Sequence, residues 1–78
     1  MTAKVKNFRT NKSQTVKVGD VVGFKSDHEQ YGRITKIVRS KSFMGGYDLH
    51  LNNPNGFSGD YLRYATDTVE HADDCWID

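Results

Sequence analysis

From Thr15 onward the chain alternates apolar and polar residues at the period of β-strands. In "TVKVGDVVGFKS", Val16, Val18, Val22 and Phe24 share one face if a strand runs on through Gly19-Asp20, which marks a turn or bulge. "YGRITKIVRS" predicts a second strand. Its Ile34 and Ile37 are three apart, so both can be buried only if a bulge or strong bend separates them, and such bends curl a short sheet. In "YDLHL", Tyr47, Leu49 and Leu51 alternate with Asp48 and His50. This predicts a third strand that starts after Gly45-Gly46 and ends in the turn residues Asn52 to Gly56. A fourth strand is expected over Phe57–Tyr64 and a short fifth over Thr68–His71. A helix over 66–75 is the rival reading, because Thr-Asp-Thr-x-Glu can cap one. "ADDCW" predicts a single 3-10 turn ahead of Trp76-Ile77, which would close the core. Four or five short strands, tight turns and no long helix predict an all-β, small antiparallel barrel.

Two polar stretches lack this alternation. "SDHEQ" is expected to be an exposed loop between the first two strands. Residues 1–15 carry Lys4, Lys6, Arg9 and Lys12 among Thr, Asn, Ser and Gln, with only Val5 and Phe8 as anchors. They predict a flexible basic arm ahead of a barrel spanning residues 16–78.

Composition narrows the function. The 78 residues make at most one domain, and a chain this short has little room for a deep catalytic cleft beside its core. A non-catalytic module is therefore expected. The single cysteine, Cys75, excludes an intrachain disulfide and favours a reducing, cytoplasmic location. No signal-peptide h-region or membrane-length apolar run is visible. The net charge of +1 hides a polarity. Residues 1–43 hold ten Lys/Arg against Asp20, Asp27 and Glu29, while residues 44–78 hold only Arg63 against seven acids.

Gly19-Asp20-x-Val22 followed by Tyr31-Gly32-x-Ile34-x-x-Ile37 resembles the opening of SH3-like barrels of the KOW and Tudor type. The resemblance covers residues 16–39 well and 47–77 loosely. It implies a barrel that binds RNA, DNA, macromolecular surfaces or modified peptides. The segments "GFSGDYLRYA" and "DDCWID" are also similar to those of small accessory proteins of tailed phages, which would place the chain in a host cytoplasm, acting on a host protein.

The candidate chemistry follows from residue types. Asp27, His28 and Glu29 are adjacent, so their side chains diverge on an extended loop and cannot share a metal. His71 and Cys75 lack further ligands at zinc spacing, and a lone Cys beside Trp76 reads as a small buried hydrophobe. No catalytic residue, metal or cofactor is expected. The aromatics exceed what one thin core needs, and exposed Tyr beside Arg marks a binding surface. Tyr31, Arg33, Tyr61, Arg63 and Tyr64 are therefore the candidates for binding a protein partner. The alternative is a nucleic-acid surface in which Lys4, Lys6, Arg9, Lys12, Lys36, Arg39 and Lys41 contact phosphates. A monomer is expected, or a weak homodimer through an unpaired strand edge.

Overall fold

The computed structural model describes residues 1–26, 28–43, 45–52 and 68–78. Within them seven strands form one sheet: β1 (Thr2–Asn7), β2 (Lys12–Lys17), β3 (Val21–Ser26), β4 (His28–Arg39), β5 (Tyr47–Asn52), β6 (Thr68–His71) and β7 (Trp76–Ile77). Their order is β2-β1-β7-β3-β4-β5-β6. Every neighbouring pair is antiparallel except β1 and β7, which run parallel. The fold is all-β, as the alternation predicts. The architecture differs from a closed antiparallel barrel of four or five strands, since this sheet is mixed and open, with β2 and β6 at its edges.

Connectivity nonetheless forces the sheet to roll. β6 and β7 lie four places apart in the strand order. In a flat sheet that is about 19 Å, at roughly 4.8 Å per strand. They are joined only by the 3-10 turn Ala72–Asp74 and Cys75, a link that reaches about 13 Å at roughly 2 Å per residue in the turn. The sheet therefore curls, and the turn packs against β1 across the gap. The core lies inside the curl. Ala3, Val5, Val16, Val22, Phe24, Ile34, Ile37, Leu49, Leu51, Ala72 and Cys75 are all buried.

The turn Ala72–Asp74 and the strand Thr68–His71 settle the rival readings of this segment against a helix for the residues described. The bend in β4 is also present. Its register against β5 slips between Ile34 and Lys36, and this places both Ile34 and Ile37 on the inner face. Leu49 and Leu51 point inward from β5, with Asp48 and His50 half-buried between them. The expected strand over residues 57–64 lies outside the described residues.

Three expectations change. Residues 1–15 do not form an arm separate from a barrel beginning at residue 16. β1 buries Ala3 and Val5, and the β1–β2 hairpin pairs from Thr2↔Lys17 to Asn7↔Lys12. Its turn is built by Asn7, whose Oδ1 accepts the backbone N–H groups of Arg9 (2.8 Å) and Thr10 (3.2 Å), while Asn11 takes a positive φ of 59°. The strand expected to run through Val18 ends at Lys17. Val18 lies in the turn, 52% exposed. Asp20 closes this turn by accepting the Lys17 N–H at 2.9 Å, and Gly19 supplies a φ of 100° that residues with a Cβ rarely adopt. The "SDHEQ" loop is also shorter than expected, because β3 and β4 pair as far as Ser26↔His28 and Gln30 is buried on the inner side.

Candidate functional site

The outer face of the sheet carries Phe8, Tyr31 and Trp76, which the core does not use. On β3, Val22 and Phe24 point inward, so Gly23 between them faces out. The indole of Trp76 lies over it. A Cβ added at Gly23 would stand 2.4 Å from Trp76 Nε1, so only glycine leaves room for the ring. The indole N–H donates to the Tyr31 hydroxyl, which donates in turn to Asp78 Oδ2 at 2.9 Å. Burial, the Asp78 hydrogen bond and the charges of Asp78 and Glu29 together push the Tyr31 phenol above its ordinary pKa. On the other side of the indole, Phe8 stacks on Trp76, with centroids 5.6 Å apart and ring planes at 27°.

Phe8 is held there by backbone. It is the first residue after β1, and its N–H donates to the Ile77 carbonyl at 2.8 Å. Its ring is 55% exposed, and the Lys6 ammonium stands 5.5 Å from its centroid. Lys4 and Lys6 share the outward side of β1, opposite Thr15 and Ser13 of β2, and Arg9 sits in the exposed hairpin turn. Lys12, at the same tip, pairs with Asn7 and so takes the opposite side of the ribbon. Lys17 is committed to Asp20 at 3.4 Å. No Asp or Glu occurs in residues 1–19.

The expected protein-binding set is only partly brought together. Tyr31 and Arg33 lie two apart on the outer side of β4, half-buried, but each has an internal role. Arg33 Nη1 donates to the Gly19 carbonyl at 2.7 Å, which ties the β2–β3 turn to β4. Tyr61, Arg63 and Tyr64 lie outside the described residues. The expected phosphate-binding set divides in two. Lys4, Lys6, Arg9 and Lys12 belong to the first hairpin. Lys36, Arg39 and Lys41 follow the β4 bulge, where Arg39 stands 5.8 Å from the Tyr47 ring centroid and Lys41 lines a groove with acids.

That groove is an open depression of about 500 Å³ lined by Ser40, Lys41, Asp48, His71, Asp73 and Asp74 among others. His71 is engaged at both ring nitrogens. Nε2 bonds the Gly45 carbonyl at 2.8 Å, and Nδ1 accepts the Asp73 N–H at 3.1 Å, which caps the 3-10 turn. The Gly45 bond raises its pKa, opposed by burial and reinforced by Asp73, Asp48 and Asp74. A ring so occupied is a structural strut, with no nitrogen to offer a substrate as a base. Cys75 is buried as expected, and its thiol is pushed up to about 12, by burial first and then by Glu70 and Asp74. At neutral pH it is no nucleophile. Among the described residues, no three His, Cys, Asp or Glu side chains converge to hold a metal, and no helix is long and apolar enough to cross a membrane.

The residues missed by pattern reading are Phe8 and Trp76. Of the pair Trp76-Ile77 expected to close the core, Ile77 packs against it, whereas Trp76 stands on the outside. The signal for Phe8 was present in "TAKVKNF", where Ala3 and Val5 alternate with Lys4, Lys6 and Phe8. No family model matches the chain, and neither a curated protein nor a solved structure shows significant similarity to it.

Proposed function

We propose that this chain is a non-catalytic binding module whose ligand is nucleic acid, held through the outward side of the β1–β2 hairpin. One observation carries the reading. The hairpin is anchored in the sheet, and its outer side presents Lys4 and Lys6, with Arg9 in the adjoining exposed turn, beside an exposed aromatic ring and with no acid in its sequence. A polyanion rewards such a cluster by releasing counterions, and it needs no cleft. Asp48, Asp73 and Asp74 gather around the groove, while Asp78 and Glu29 act on Tyr31 at the far end of the aromatic row. In plan we read the rolled sheet as a variant of an SH3-like barrel. The bent strand β4, shared between two halves of the sheet, and the 3-10 turn before the last strand support this. The added first hairpin is the departure from that plan.

The test is a titration with labelled oligonucleotides across a range of salt. Three phosphate contacts give a slope of log affinity against log salt of about −2 to −3. Replacing Lys6 and Arg9 by Glu should weaken binding and flatten that slope. Absence of binding at about 50 mM salt would overturn the reading.

A protein-interaction module is the second reading. The observation that favours it is Phe43, whose side chain is 98% exposed beside the acidic groove loop. Pull-down with the wild-type chain and a Phe43→Ser variant tests it, and equal capture by both would remove Phe43 from any role.

A further inference from the structure

We propose that Phe8, backed by Trp76, is a stacking platform for an unpaired base, so that the ligand of the β1–β2 hairpin is single-stranded nucleic acid. This rests on the nucleic-acid reading above and specifies its ligand. The ring is large, 55% exposed and lies on the outer face, where the core has no use for it. It is also rigid. The Ile77 carbonyl fixes its backbone, the Asn7 turn fixes its exit from β1, and Trp76 supports its face. Trp76 is itself locked between Gly23 and the Tyr31 hydroxyl, so the platform exists before any ligand arrives.

The charges give the platform a direction. Lys4, Lys6 and Arg9 lie on the hairpin side of the aromatic row, and the Glu29 and Asp78 carboxylates act at its Tyr31 end, Asp78 turning there from a backbone position beside Phe8. A strand of nucleic acid is therefore attracted along β1 and repelled beyond Trp76, which makes Phe8 the ring its bases meet. Magnitudes decide what happens to Lys6. Its contact with the exposed Phe8 ring is weaker than the stacking of a base on an aromatic face. The base displaces the ammonium, which then pairs with a phosphate. A duplex cannot use the platform in this way, because its bases already stack on one another.

The experiment compares affinities of the full chain for three probes at low salt: oligo(dT), a duplex of mixed sequence, and heparin as a polyanion without bases. The variants are Phe8→Ala, Phe8→Leu and Phe8→Tyr, each checked for native circular dichroism. Phe8→Leu keeps an apolar side chain against Trp76 and loses the π face, so lost packing and lost stacking separate. The expected result is that oligo(dT) binds more tightly than the duplex. Phe8→Ala and Phe8→Leu then weaken oligo(dT) about 5- to 150-fold, with heparin affinity and the salt slope unchanged. Phe8→Tyr should bind as the native chain does. If oligo(dT) and duplex bind alike and Phe8→Leu changes neither, the platform is refuted while the nucleic-acid reading stands. If only heparin binds, or nothing does, both are overturned.

Discussion

The two faces of the sheet use opposite materials. Inside, aliphatic residues dominate, and Phe24 is the one fully buried aromatic among the described residues. Outside, Phe8, Trp76 and Tyr31 form a row, half-buried or exposed. Each face contains a glycine that makes room for it. Gly32 faces inward, where an added Cβ would meet Leu51 Cβ at 2.9 Å, and Gly23 faces outward beneath the indole. A chain of this length is short of buried area, so aromatic surface left outside costs it stability that the core could have used. That cost is the physical argument for a ligand on the outer face.

The comparison can be broken by unequal energetics. Phe24→Ala should lower the free energy of unfolding by about 3–5 kcal/mol, which for so small a domain removes most of its stability. Trp76→Ala should cost about half as much, because the indole is only half-buried. Chemical denaturation of both variants measures this. Equal losses would mean that the outer row is a second core and has no ligand to wait for.

Smaller steps sharpen the same contrast. Gly32→Ala forces a methyl group against Leu51, and overpacking of this kind costs about 1–3 kcal/mol. Gly23→Ala should cost about as much as Trp76→Ala at most, since an indole displaced into solvent gives up its cover over Gly23, its stack on Phe8 and its bond to Tyr31. The displacement has its own readout. Trp76 is the only tryptophan, so its emission should shift to the red in Gly23→Ala and stay unchanged in Gly32→Ala.

The smallest effect concerns the acidic groove. The folded state raises the pKa of His71 above its ordinary 6.5, first through the Gly45 carbonyl. A raised histidine contributes stability that is fully present below about pH 6.5 and is lost as pH rises through the folded value. Protonation also exchanges the Asp73 N–H acceptor for an ion pair with the Asp73 carboxylate 3.7 Å away, so part of the gain is offset. The melting temperature should therefore fall slightly between pH 6 and pH 8. Thermal melts of His71→Gln should show a flatter dependence over that window.

These contrasts also explain what pattern reading could reach. The bulge in β4 was legible because two isoleucines at odd spacing admit one solution, and the β5 strand because Leu49 and Leu51 alternate with polar neighbours. The β1–β2 hairpin was not, because an edge ribbon that buries only Ala3, Val5 and Val16 has the composition of a solvated tail. The position of Trp76 was not legible either. Which face a large ring takes depends here on the missing side chain of Gly23, a residue more than fifty positions away in the chain. Of the candidate site, the lysines could be named from charge alone, whereas the rings between them required the register of β7 between β1 and β3.

That register has a kinetic consequence. The first hairpin can form from neighbouring residues, but its attachment to the rest of the sheet runs through β7, where Lys6 meets Trp76. Closing that contact spans nearly the whole chain, so it is the entropically slowest contact of the fold. Until it forms, the molecule is two separate sheets, and the two residues of β7 act as the rivet that joins them.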